Sequence, residues 1–279
     1  MKPRIHTVGL FDSGVGGLSV AAALLDVCPH LGLLCLGDQA HVPYGGRALS
    51  EVAGFARELT SFLFSHGADA VVMACNISSA TALEGARTHY GAHAAFGVIE
   101  DGARVAAHQS PSGRIGVLAT EGTVKTGAYS RTLRSIRPSA TVVEVACPRF
   151  VPLVEADRVE GPEAEGAVAE ALDPIRRGPC DTVILGCTHY PMLLPCLRRS
   201  APELQFVDPA RCIAERLRHR LAPGAASRLW TTGHPGTFQA AVHHWLSGRV
   251  TSPVEQARWR DGRLYVDDED RFDASDARA

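Results

Sequence analysis

Lysine is nearly absent from this chain. Among 279 residues only Lys2 and Lys125 carry an ε-amine. An enzyme that activates its substrate as an imine of pyridoxal phosphate needs such a lysine. Lys2 stands beside the amino terminus, so Lys125, in Thr123-Val124-Lys125-Thr126, is the internal candidate. Long apolar runs are missing too. None approaches the ~18 residues that span a bilayer. The opening Met1-Lys2-Pro3-Arg4-Ile5-His6 has no apolar stretch of the kind that directs secretion. There is no excess of one charge either. A formal net charge of -2 gives no electrostatic reason to expect nucleic acid or an anionic membrane as partner. These absences lead to the expectation of a cytoplasmic protein without membrane or nucleic-acid partners.

C-x-x-C spacing is absent among the eight cysteines, which removes the zinc-ribbon and thioredoxin patterns. A cytosolic chain of this size keeps its thiols reduced, and most of them read as small buried apolar residues. His89 and His93 stand four apart, as on one helix face, but no acidic or thiol partner follows at metal-site spacing. No metal is expected.

Short apolar runs are what the sequence does have. Thr7 to Phe11, Leu33 to Leu36, Ala70 to Ala74, Ala95 to Val98, Arg114 to Leu118, Thr141 to Val145 and Thr182 to Leu185 read as buried strands. Between them lie helical patterns. From Ser50 to Phe64, for example, apolar residues recur at Val52, Phe55, Leu59, Phe62 and Leu63. Strands without polar alternation, separated by helices, predict parallel α/β sheets covered on both faces.

The pattern repeats. Val8-Gly9-Leu10-Phe11-Asp12-Ser13 is matched by Ile115-Gly116-Val117-Leu118-Ala119-Thr120. Asp69-Ala70-Val71-Val72-Met73-Ala74-Cys75-Asn76 is matched by Asp181-Thr182-Val183-Ile184-Leu185-Gly186-Cys187-Thr188. Two matches in the same order predict two related α/β halves about a pseudo-two-fold axis, with a site in the cleft between them. The first half is expected to take residues 1–98 and 210–260, and the second 99–209. Residues 261–279, with Asp267-Asp268-Glu269-Asp270, are expected to form a solvated tail.

Each half ends a strand on a cysteine, Cys75 or Cys187. Ligands of open α/β sheets bind beyond the carboxyl ends of the strands. A thiol opening a helix feels the positive end of its dipole, which favours thiolate. If the halves face each other, the two thiols approach one ligand from opposite sides. Racemisation by a single base needs an imine-forming cofactor or a base that moves, whereas such a pair does it directly: one group removes a proton from Cα and the other returns one to the opposite face. The loop Asp12-Ser13-Gly14-Val15-Gly16-Gly17 lacks the lysine of a phosphate-binding loop and the spacing of a dinucleotide loop. It reads instead as an acid and a hydroxyl beside Cys75, with Thr120-Glu121-Gly122-Thr123 as its counterpart. His189, two residues past Cys187, is placed to steer the thiol proton.

These residues together resemble the glutamate racemase family. The carriers of the resemblance are Gly9 to Val20; Asp38 with Val42-Pro43-Tyr44-Gly45; Ala74-Cys75-Asn76; Gly116 to Thr120 with Gly122-Thr123-Val124; Cys147-Pro148 through Val151-Pro152-Leu153-Val154-Glu155; and Leu185 to Pro191. The resemblance implies two facing α/β domains with glutamate in the cleft, and supply of D-glutamate for peptidoglycan. It implies Cys75 and Cys187 as alternating proton donor and acceptor, Asp12 and His189 as their helpers, and Glu155 as a supporting acid. It also implies substrate contacts from Asp12, Ser13, Tyr44, Gly45, Asn76, Thr120, Thr188 and His189, and neither pyridoxal phosphate nor metal. A homodimer is compatible with all of this. One position departs: Ile77 stands where the family has threonine. Its backbone N–H still contacts substrate in this reading, but a hydroxyl is lost. Aspartate, or a related amino acid handled by the same thiols, therefore stays open as the alternative substrate.

Overall fold

The structure, a computed structural model, describes residues 3–266. Two sheets carry it, and both are wound the same way. In the first, β1 (Thr7–Asp12) lies between β2 (Gly32–Gly37) and β3 (Ala70–Met73), with β4 (Ala95–Gly97) outside β3, all parallel. In the second, β5 (Arg114–Ala119) lies between β6 (Thr141–Ala146) and β7 (Thr182–Gly186). There β8 (Gln205–Val207) lies outside β7, again parallel. The registers agree as well: Gly9 pairs with Val71, and Gly116 with Val183. The repeat in sequence is thus a repeat in topology.

The first sheet is extended by three further strands. β9 (Arg228–Thr231) joins the free side of β2, and β10 (Val254–Arg260) joins β9, both parallel. β11 (Arg263–Val266) closes an antiparallel hairpin with β10. This corrects the expected start of the acidic tail. Arg263–Val266 is strand, because Leu264 and Val266 bury against the sheet. The acidic run Asp267-Asp268-Glu269-Asp270 lies outside the described residues. Between Ala210 and Gly248 the chain runs through β9 as well as helix.

Helices α1 (Leu18–Val27), α2 (Leu49–Ser65), α3 (Asn76–Tyr90) and α4 (Val98–Gln109) follow the strands of the first sheet. Those of the second are followed by α5 (Glu121–Thr126), α6 (Ala128–Ile136), α7 (Phe150–Glu155), α8 (Pro162–Arg177) and α9 (Leu194–Ser200). α10 (Pro209–Leu217) and α11 (Pro235–Leu246) complete the chain. The sheets are buried on both faces, which explains the unbroken apolar strands. Val8, Leu10, Leu33 and Val72 pack under α1, α10 and α11, while Phe11, Leu34, Leu36, Val71 and Met73 pack under α2 and α3. No helix among the described residues is long and apolar enough to cross a membrane.

The aspartate that opens each repeat has a structural task. Asp69 accepts the backbone N–H groups of His6 and Thr7 at 2.8 and 2.9 Å, clamping the start of β1. Asp181 does the same ahead of β5, accepting from Ser110 Oγ, Ser112 N and Ser112 Oγ at 2.5, 2.8 and 2.6 Å. Burial alone would raise the Asp181 carboxyl. The hydrogen bonds from Ser110, Ser112 and Thr182 outweigh it and bring it down to about 2 from an ordinary 3.8. A depressed carboxylate contributes stability above its unfolded pKa and loses it as pH falls through the folded one. Asp181→Ala is therefore expected to lower stability near neutral pH by about 1–3 kcal/mol. It should also flatten the loss seen between about pH 4 and 2. Urea unfolding at pH 7 and pH 3 measures both.

Candidate active site

The carboxyl ends of β1, β3, β5 and β7 meet around one small cavity of about 50 Å³. It is lined by Ser13, Tyr44, Gly45, Cys75, Asn76, Ile77, Thr120, Cys187, Thr188 and His189, every one singled out from the sequence. Val42, Pro43, Thr123, Val151 and Gly186 line it too and were not. All five lie inside the motifs quoted above, so motif context was the available signal. Asp12 and Glu155 do not face the cavity; they stand behind residues that do. A larger hollow of about 450 Å³ between α2 and α3 shares no residue with the thiols' cavity.

Cys75 caps α3, and its Sγ lies 4.0 Å from Ser13 Oγ. The helix-dipole expectation of a thiolate fails here. Burial, joined by the negative charge of Asp12, pushes the Cys75 thiol up to about 12, while hydrogen bonds from Ser78 pull weakly the other way. Desolvation exceeds the dipole because the sulfur is enclosed by both halves. Asp12 is itself 2% exposed. Burial raises its carboxyl against the opposing pull of His189, the Gly14 and Gly17 N–H groups and Thr188.

The Cys187 side is built differently. No regular helix follows the sulfur directly. Thr188 and His189 lead into a single 3-10 turn, Tyr190–Leu193, before α9. Cys187 Sγ lies 3.8 Å from His189 Nδ1, and the other ring nitrogen meets Glu155 Oε1 at 2.6 Å. Burial works against an imidazolium here. The hydrogen bonds to Cys187 and Glu155, with the charges of Cys187 and Asp12, outweigh it and raise His189 from 6.5 to about 10. Thr188 Oγ1 donates to Asp12 Oδ1 at 3.4 Å, and Tyr129 OH donates to Asn76 Oδ1 at 2.7 Å, so buried polar links cross between the halves at the site.

Ile77 is buried against Tyr44, Val52 and Cys75. Of the hydroxyls that could replace the missing threonine, Ser79 Oγ is engaged with Met73 O at 2.8 Å. Lys125 is exposed at the end of α5 and does not line the cavity; Lys2 lies outside the described residues.

Two like-wound α/β units, each presenting one thiol to a shared cavity, define a class of enzyme that works a substrate from both faces. The sequence profile described as Asp/Glu/Hydantoin racemase matches residues 18–217. A glutamate racemase of Desulforudis audaxviator is 41% identical over 266 residues, covering 90% of this chain and 97% of its own. The crystal structure of a glutamate racemase isoform from Bacillus anthracis superposes with a TM-score of 0.82 at 30% identity, covering 92% and 98%. That of the Francisella tularensis enzyme in complex with D-glutamate does so with 0.81 at 25% identity, also covering 92% and 98%. The chain belongs to the Asp/Glu/hydantoin racemase family and is an amino-acid racemase.

A histidine held charged by its partners has a measurable signature. His189 is raised, so its stabilisation is complete below about pH 6.5 and is lost as pH rises through about 10. The melting temperature should fall across that window, and His189→Asn should reduce the fall. A scan of Tm between pH 6 and 10 for both proteins checks this.

Proposed function

We propose that this racemase interconverts L- and D-glutamate by proton transfer between Cys75 and Cys187, without pyridoxal phosphate or metal. One observation carries the reading: a thiol from each half lines the same cavity, with an acid behind one and a histidine beside the other. As found, the pair is poised for one direction. Cys75 holds its proton and acts as acid; His189 serves Cys187 by taking and returning the proton that sulfur exchanges. For the reverse direction Cys75 must give up its proton, and Asp12 is the group placed to assist. Glu155 keeps the His189 ring oriented, and their hydrogen bond holds the Glu155 carboxyl below its usual value.

Among the described residues no lysine or arginine lines the cavity. Apart from His189, the substrate carboxylates are then held by neutral donors: the hydroxyls of Ser13, Thr120, Thr123 and Thr188, the Asn76 amide, and backbone N–H groups at Gly45 and Ile77. Glutamate is preferred because the relatives named above carry that activity and one of them was solved with D-glutamate bound. Ile77 keeps aspartate as the second reading. A cytoplasmic enzyme supplying D-glutamate for peptidoglycan follows from the same reading.

Purified, cofactor-free protein in deuterated water should place deuterium at Cα of either glutamate enantiomer and yield the other. Cys75→Ser and Cys187→Ser should each lower kcat/KM by about 10²–10⁴-fold or more. Absence of exchange with both enantiomers, or an active double variant, overturns the mechanism. Faster turnover of aspartate would move the assignment to the second reading.

A further inference from the structure

Asp38 is completely buried, yet it does not line the cavity. It follows directly on β2, and its N–H donates to Asp12 O at 2.9 Å. Its two oxygens collect four hydrogen bonds. Oδ2 accepts from Tyr44 OH at 2.6 Å and from His41 Nδ1 at 2.9 Å. Oδ1 accepts from Thr232 Oγ1 and from Trp259 Nε1, both at 2.8 Å. A buried carboxylate is tolerated only when its lone pairs are satisfied in this way. The donors come from separate places: the cavity wall, the turn before it, the loop after β9, and β10.

The aromatic rings follow the same plan. His41 stacks on Phe55 at 3.9 Å and meets the edge of Trp259 at 5.0 Å; Tyr44 lies 5.7 Å from Phe55. Tyr44 is thus fixed at its hydroxyl by Asp38 and packed at its ring by Phe55. Burial and the charge of Asp38 push that hydroxyl far up, so it remains a donor. Val42, Pro43, Tyr44 and Gly45 form one wall of the thiol cavity.

We propose that Asp38 is a positioning residue for the reaction, setting the Val42 to Gly45 wall through Tyr44, and that Trp259 holds Asp38 in place. The β10–β11 hairpin, far along the chain from both thiols, is by this link part of the working site. The inference rests on the reading that Tyr44 faces the substrate.

Trp259→Phe keeps the ring against His41 and removes one N–H. Trp230→Phe is the matched control. Trp230 is fully buried where Trp259 is partly so, and it too donates its indole N–H to a carboxylate, Glu255 at 2.9 Å, but its indole N–H does not reach Asp38. Trp259→Phe should raise KM for glutamate about three- to tenfold with kcat changed less than about twofold. Asp38→Asn should raise it further. Trp230→Phe should lower Tm and leave KM unchanged. In a Tyr44→Phe background the effect of Trp259→Phe on KM should largely vanish, since the link is already cut. Unchanged KM in Trp259→Phe, an equal rise in Trp230→Phe, or full multiplicativity with Tyr44→Phe overturns the proposal. The two-thiol reading fails on different evidence, namely exchange that survives loss of Cys75 or Cys187.

Discussion

The structure depends on how closely the two sheets meet at their carboxyl ends. A Cβ on Gly16 would lie 2.3 Å from Thr188 Oγ1 and 2.7 Å from His189 Nδ1. A Cβ on Gly122 would lie 2.6 Å from Ile77 Cδ1 and 2.7 Å from Gly45 O. All four distances are below any contact that carbon tolerates, so glycine is required where one half touches the other. This approach leaves only the small cavity of about 50 Å³ between the halves, with both thiols largely buried beside it. In such a space desolvation is the largest influence on Asp12 and Cys75 alike, and each remaining charge acts at longer range than it would in water.

The backbone is symmetric at this point and the chemistry is not. Equivalent strands deliver Cys75 and Cys187 to equivalent places. Cys75, however, has a buried carboxylate for a neighbour, and Cys187 has a histidine paired with Glu155. A carboxylate favours the protonated thiol; a histidine that holds charge to about pH 10 favours proton exchange. A reversible two-base reaction needs its two groups in opposite protonation states at any moment. Duplication alone would give two identical thiols. The different partners drawn from the loops after β1 and β7, and from α7, break that symmetry.

Much of this was legible in the chain. Strands buried on both faces are apolar throughout, so β1 to β5 and β7 stand out; β6, a partly exposed edge strand with Glu144, is still rich in valine, and the Asp-to-Cys repeat shows that the halves are copies. What escaped lies at the margins of the two sheets. β8 is three residues long, and β10 (Val-Glu-Gln-Ala-Arg-Trp-Arg) is charged because it is half exposed. Neither carries the apolar signature of a central strand. The direction of the Cys75 shift was missed because local sequence shows the helix start but not the enclosure supplied by the other half. Asp38 was visible within a motif, but its role required knowing that Trp259, 221 residues later, reaches it.

The scarcity of lysine acquires a physical meaning once the cavity is seen. Removing a proton from Cα leaves negative charge beside a carboxylate, and an imine cofactor would normally absorb it. Lys125, exposed on α5, cannot provide that anchor, and the cavity holds neither lysine nor arginine among the described residues. In the proposed mechanism fixed dipoles contribute that stabilisation, and such dipoles act strongly only where the donors cannot reorient. That requirement gives the network behind the cavity its weight. In the proposed mechanism a wall set by Tyr44, and held by a carboxylate with four donors, keeps dipoles in place beside the charged His189. With no lysine or arginine lining the cavity among the described residues, thiols rather than ammonium groups serve as the acids and bases of the proposed reaction.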